Sequence, residues 1–325
     1  VGTCNTLDVL KQCFEEVVPT TDKRTTIAPL SFVVCLVYTY LGDSKTFSLE
    51  AIRRGMTSHL KTRMSRSAFW ERLARKRLQT LLGGVVAKLM GSLTASASIG
   101  DQLLGRLGVS SIELVDSSSI TLWDGAKQAY PGTRTTAGIK WHLALDVLSG
   151  AMTWWRLTPT ATHDRKCFPE MASLQGKLVI FDLGYWDYGL LVAIEKAGGF
   201  FLSRLKSTAV IRITAVVQGL SKKYIGQDLL ALPLSGQSNR IIEVLIEKVH
   251  KGQVLRCRVI GFWHPAEGGY HWYITNLTAA AYLMYPLYRL RWQIELVFKA
   301  CKNSLNANQI TSNHPHIIQS LLLAS

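Results

Sequence analysis

The feature that most constrains this chain is a change of hydrophobic period near residue 105. Before it, apolar residues recur at helical spacing (Leu7, Leu10, Phe14 and Val17 begin the pattern), with no strand-like alternation. After it, short apolar runs are separated by turn residues. Ile112 to Val115 reads as a strand ending at Asp116, and Ile139 to Val147 and Ala151 to Leu157 as two strands around a Ser149-Gly150 turn. A helix follows Asp164, then a strand from Leu178 to Phe181 ending at Asp182. A helix from Gly189 to Ala197, closed by Gly198-Gly199, leads into a strand from Phe200 to Leu205. This order predicts an α/β layered domain with a mixed sheet that opens as an antiparallel meander. Residues 207–275 are β-rich: Arg240 to His250 and Val254 to Trp263 flank a Lys251-Gly252 turn, and Tyr270 to Thr275 follows. Arg256 and Arg258, two apart, share a strand face. Helical pattern returns from Thr278 to Asn303, with Pro286 a kink or restart point. The expected divisions are therefore 1–105, 106–206, 207–275 and 276–325.

Charge narrows the partner. The 325 residues carry 37 Lys+Arg against 22 Asp+Glu, a formal charge of +15. That excess favours a polyanion, nucleic acid before an anionic membrane surface. Nine basic side chains fall within residues 51–77 (Arg53, Arg54, Lys61, Arg63, Arg66, Arg72, Arg75, Lys76 and Arg77), against the single acid Glu71. A helix beginning near Ala68 and capped by Ser65 or Ser67 would carry several of them, a form suited to DNA contact or simply to a solvated face. The longest apolar run, around residues 28–41, contains Pro29 and Thr39 and falls short of the roughly 18–20 residues of a membrane span. Six cysteines without a C-x-x-C pair predict free thiols in a reducing cytoplasm. His314 and His316 lack a partner at zinc-ligand spacing, and no Gly-x4-Gly-Lys-Ser/Thr loop indicates ATP use. A start at Val1 and an end just after the apolar run Ile317 to Leu323 suggest a piece of a longer protein.

The richest chemistry lies in the last helical segment. Tyr288, Arg291, Glu295 and Lys302 are spaced 3, 4 and 7 apart. On an ideal helix they fall at about 0°, 300°, 340° and 320°, within a stripe roughly 60° wide. Arg291 and Glu295 alone could be an ordinary i,i+4 ion pair. All four together put a phenol, a guanidinium, a carboxylate and an ammonium on one line, with Leu290, Ile294 and Val297 turned the other way.

The pattern Tyr288-x2-Arg291-x3-Glu295-x6-Lys302, with its Arg-Trp-x-Ile-Glu context, resembles the signature of bacterial insertion-sequence transposases of the insertion sequence four family. Val115-Asp116-Ser117-Ser118 and Phe181-Asp182-Leu183-Gly184-Tyr185 resemble the same family, and the likeness covers about residues 110–305. It implies an RNase H-like catalytic core with a β-rich insertion before the last catalytic helix, preceded by an all-helical DNA-binding region. Asp116, Asp182 and Glu295 would then be catalytic and hold two Mg²⁺ ions, for which Mn²⁺ can substitute. Three converging carboxylates repel unless hard cations neutralise them, which agrees with that reading. Tyr288, Arg291 and Lys302, with Arg204 and Lys206, would contact DNA phosphates. Trp272 would receive a flipped base, with Trp263 its competitor and a buried core role the alternative for both. His163-Asp164 reads first as a helix start. The implied activity is cleavage of double-stranded DNA at terminal inverted repeats and strand transfer to target DNA, by a homodimer in the bacterial cytoplasm. An RNase H-like nuclease without strand transfer and a non-catalytic DNA-binding remnant are the alternatives.

Overall fold

A computed structural model describes residues 27–42, 48–92, 97–234, 241–304 and 310–324. The earliest apolar pattern, Leu7 to Val17, lies outside them, as does Arg240. Helices come first: α1 (Pro29–Gly42), α2 (Leu49–Leu60), α3 (Arg66–Ala74), α4 (Lys76–Ser92) and α5 (Ala97–Leu107). Of the two serines proposed as a cap for α3, Ser65 accepts from the Ala68 amide at 3.2 Å. Seven of the basic residues in 51–77 are exposed, while Arg53 and Arg72 are half-buried and committed to structure. Arg53 pairs with Glu50, and Arg72 lies 5.4 Å from the Phe32 ring centre.

The strands are β1 (Ser111–Thr121), β2 (Gly138–Asp146), β3 (Met152–Pro159), β4 (Lys177–Phe181), β5 (Phe200–Arg204), β6 (Ile213–Gln218), β7 (Ile242–His250), β8 (Gln253–His264) and β9 (Gly269–Thr275). They form one nine-stranded sheet in the order β3-β2-β1-β4-β5-β9-β8-β7-β6. The β1-β2 and β2-β3 pairs are antiparallel; β1-β4 and β4-β5 are parallel. The β-rich stretch continues this sheet, because β9 runs antiparallel along β5. β6 was not anticipated. It is an edge strand with two register shifts against β7, and such irregular strands give little period-2 signal.

Alternation divides the sheet into two packed faces. On one, Leu114, Leu143, Ile180, Leu202 and Tyr273 pack with residues of α7 (Met284–Arg289) and α8 (Trp292–Ser304). On the other, Val115, Val179, Phe181 and Phe201 pack with residues of α6 (Tyr188–Lys196). The last helix, α9 (Pro315–Ala324), belongs to neither face. Its Ile317, Ile318 and Leu321 share a core with Phe69, Leu73 and Leu82 of the first helices. The described residues 310–324 thus join the core of the first helices, whereas α7 and α8 cover the sheet.

Two expectations are corrected. The predicted strand end at Asp116 is not an end, since β1 continues to Thr121 paired with β2. What ends there is its other partner: the last β1-β4 pair is Val115 with Phe181. The helical stretch over 278–303, expected to kink or restart at Pro286 and to carry Tyr288 through Lys302 on one helix, is interrupted elsewhere. A 3-10 turn at Ala281–Leu283 precedes α7, and the chain tightens at Leu290-Arg291 before α8. There Leu290, Arg291, Gln293 and Ile294 donate to carbonyls three residues back. Pro286 sits in the first turn of α7, where its missing N–H costs nothing. The helix after Asp164 is a single 3-10 turn.

Candidate active site

Register sets the site. Val115 and Phe181 are partners on parallel β1 and β4, so Asp116 and Asp182 are the next residues on adjacent strands. Both follow the alternation of Leu114 and Ile180 and so belong to the sheet face that α8 covers. α8 lies against β1 and brings Glu295 to the same place. Asp116, Ser117, Ser118, Asp182, Arg291, Glu295, Phe298, Lys299 and Lys302 line one cleft of about 510 Å³.

The acids are not equivalent. Asp116 is 9% exposed. Burial, then the neighbouring Asp182 charge, pushes its carboxyl up to about 6, against the pull of the Ser117 amide and Arg291. Asp182 is half-buried and accepts from the Gly184 amide at 2.8 Å, which explains the tight turn after it. A Cβ on Gly184 would lie 3.0 Å from Asp182 Oδ1 and 3.2 Å from Asp164 Oδ2, so a larger residue there would push on both carboxylates. Arg291 Nη1 lies 3.1 Å from Asp116 Oδ2, and Nη2 lies 2.6 Å from Glu295 Oε1. The three carboxylates do not themselves gather within 4.8 Å of one another. A guanidinium stands between two of them instead. The Arg291 Nε is buried without a hydrogen-bond partner, so this pairing leaves a donor unused.

The other sequence-derived residues are distributed around the cleft. Lys302 is exposed on its rim, and Lys299, one turn after Glu295, joins it. Tyr288 precedes the helix break and lies under Arg291, whose guanidinium carbon is 5.7 Å from the phenol ring centre. Burial pushes the Tyr288 hydroxyl up. Tyr288 also packs on Tyr273 at 5.0 Å. Arg204, half-buried, pairs with Tyr273 across β5-β9. Lys206 donates to the Trp186 carbonyl at 3.2 Å, on the α6 side. Trp272 does not reach the cleft. It packs on the α6 face, stacked on Tyr270 at 5.3 Å, with its ring over Gly261. Trp263 also contacts Tyr270, at 5.3 Å. Side-chain alternation turns Trp272 away from the face that carries Tyr273.

A polar network that includes buried His142 runs from the opposite face of β1 to the turn after Asp182. Asp164 accepts from Ser117 Oγ at 3.0 Å and from Lys140 Nζ at 2.8 Å. His142, fully buried, bonds Tyr185 at 3.1 Å and Thr158 at 2.9 Å. Burial lowers the His142 ring to about 4, keeping it neutral. Sequence reasoning passed over Lys299 and, apart from Asp164 read first as a helix start, this network. The i,i+4 spacing from Glu295 could have found Lys299; the network's members lie on separate strands and carry no shared spacing.

A mixed α/β sheet with paired acids beside a helix-borne glutamate agrees with the comparisons. The family of transposase DDE domains matches residues 108–324, more than half of the chain, and the chain belongs to that family. Among its relatives, a putative transposase, y4zB, of Sinorhizobium fredii is 26% identical over 69% of this chain and 61% of its own length. The transposase for insertion sequence element IS231E of Bacillus thuringiensis subsp. finitimus is 26% identical over 59% of this chain and 49% of its own. That for IS1151 of Clostridium perfringens is 26% identical over 60% and 50%. The chain thus spans about half to three-fifths of these relatives. A piggyBac transposase synaptic complex with hairpin DNA gives a TM-score of 0.45 at 10% identity, over 98% of this chain and 71% of that one, too low to establish a shared fold. No described helix is long and apolar enough to cross a membrane.

Proposed function

We propose that this chain carries the catalytic region of a DNA transposase that cuts phosphodiesters at its element's ends and joins the freed 3′-hydroxyls to target DNA. The observation that carries the reading is the cleft: Asp116, Asp182 and Glu295 line it together with Arg291, Lys299 and Lys302. The strand order β3-β2-β1-β4-β5, antiparallel then parallel, supports an RNase H-like core, with the β6 to β9 region as its insertion.

The residues fit divalent metal. Three carboxylates are a hard-oxygen donor set, and Asp116 is buried beside Asp182 with one backbone amide and a shared guanidinium to offset its charge. Asp116, Asp182 and Glu295 would hold two Mg²⁺ ions, or Mn²⁺ in their place. Such ions supply Lewis-acid activation of the attacking oxygen and charge neutralisation at the leaving oxygen. The chain's own groups do the rest. Arg291 is now spent on Asp116 and Glu295; freed from them, its planar fork would grip a phosphate bidentately. Lys299 and Lys302 add point charges along the rim, and Tyr288 supports Arg291 from below. Arg204 and Lys206 remain candidate backbone contacts farther out. The exposed cations of residues 51–77 would bind flanking DNA, and a dimer would bring two ends together.

Incubation with DNA spanning an element end tests this in Mg²⁺, with nicks and joined products read on one gel. The expected result is cleavage followed by joining, and loss of both by at least a hundredfold in Glu295→Gln. Cleavage without joining in the presence of target would favour the nuclease, and binding without turnover a non-catalytic remnant. Unchanged cleavage by the variant would overturn the site assignment.

A further inference from the structure

Away from the acidic cleft, the β8-β9 hairpin gathers a second set of ligand atoms. Among the described residues, His264, Glu267 and His271 are the one trio whose ligand atoms all lie within 4.8 Å of one another. Register brings them together. Phe262 pairs with His271 and His264 with Gly269, which makes the two imidazoles diagonal neighbours on one face. Their rings stack 4.3 Å apart at 12°. The Glu267 and Gly268 amides both donate to the His264 carbonyl, at 3.2 and 3.0 Å. Gly268, at φ +64°, closes this turn where another residue would be strained, and Glu267 is returned over the rings.

Hydrogen bonding explains half of this arrangement. Glu267 Oε2 lies 2.8 Å from His271 Nε2. The other oxygen is 3.6 Å from His264 Nδ1, too far for a hydrogen bond, and that nitrogen is buried with no partner. An orphaned buried polar atom loses its hydrogen bonds to water without a replacement, which is unfavourable. A cation between the three groups would use it once the stacked rings turn apart, since imidazole lone pairs lie in the ring plane. Ligands around a tetrahedral zinc stand about 3.3 Å apart, as metal–ligand bonds of roughly 2.0–2.2 Å require. The two separations here, 2.8 and 3.6 Å, bracket that value. Two imidazoles and one carboxylate select a borderline transition ion over Mg²⁺, which prefers oxygen alone.

We propose that His264, Glu267 and His271 form a three-ligand zinc site that staples the β8-β9 turn, separate from the carboxylate cleft. Arg204 lies close enough for its charge to help hold the Glu267 carboxyl low, after the larger effect of the His271 hydrogen bond.

Titrating the full chain with Zn²⁺ alone, by calorimetry, tests the site, with Co²⁺ absorption reporting ligand geometry. One tight equivalent should bind with low coordination number, and at least tenfold more weakly in His271→Asn and in Glu267→Gln. Glu267 is exposed, so its variant remains informative if the histidine change unfolds the hairpin. Histidine nitrogen resonances of the unsubstituted chain give a further readout: zinc should move those of His264 and His271. No bound zinc, or equal affinity in both hairpin variants, would overturn the proposal.

Discussion

At the scale of residues, two buried groups give the metal-free chain opposite pH dependences. Asp116 titrates near 6 in the folded chain against 3.8 ordinarily, so between those values the folded state holds the extra proton. Its contribution is fullest below about pH 4 and is lost as pH rises through 6. Asp116→Asn should therefore stabilise the metal-free chain at pH 7.5, by about 1–3 kcal/mol, and have little such effect at pH 4. Denaturant melts at both pH values check this; a loss of stability at pH 7.5 would mean that Asp116 is well solvated or well paired. His142 works the other way. Its ring sits near 4 when folded and 6.5 ordinarily, so its contribution is present above 6.5 and lost as pH falls towards 4. His142→Gln should remove up to about 3 kcal/mol of pH-dependent stability between those limits, measured by melts across the window. The charges facing His142 are Asp164, Lys140 and Arg156. Glu295 could be singled out from sequence by its helix stripe with Tyr288, Arg291 and Lys302, while Asp116 and Asp182, each following a short apolar run, took their role from the family resemblance. Arg291's present grip on Asp116 could not, since it joins residues 175 apart.

Among the elements, the hinge between β9 and α7 is held by Arg258. Its guanidinium pairs with Glu243 of β7 at 2.7 Å and also donates to the carbonyls of Leu277 and Ala279. These side chains are only 13% and 8% exposed, so removing one partner leaves a buried charge. Arg258→Met should cost about 3–5 kcal/mol. Adding Glu243→Gln should restore much of that stability without restoring DNA cleavage, because the loop ahead of α7 stays untethered; denaturation and cleavage assays on the two chains separate these effects. The α/β order and most strand centres were legible from apolar runs and Gly-containing turns. The break at Leu290-Arg291 was not, because the apolar spacing continues across it. Nor was the face of Trp272: a side chain's sheet face depends on strand pairing, which β9 takes from both β5 and β8.

For the molecule as a whole, part of the positive charge is gathered on the first helices. Arg63, Arg66 and Lys76 are exposed around the α3 region, well apart in sequence from the acidic cleft. Changing all three to Ala should leave the melting temperature within a degree or two and lower the salt dependence of non-specific DNA binding by up to about 2–3 in log–log slope. An unchanged slope would remove this surface from the DNA path. The α9 helix ties the same region to the end of the described chain, through Ser320 donating to Leu73 and Gln79 to His316. Sequence could not reveal that long-range packing, since α9 is apolar enough to suit any core. The central claim is that the cleft exchanges Arg291 for metal and phosphate. Its most direct test is a crystal structure with Mn²⁺ and an element-end DNA, located by anomalous scattering. The account predicts manganese among Asp116, Asp182 and Glu295, with Arg291 turned from Asp116 to a phosphate. An intact Asp116–Arg291 pair with no manganese beside bound DNA would contradict it.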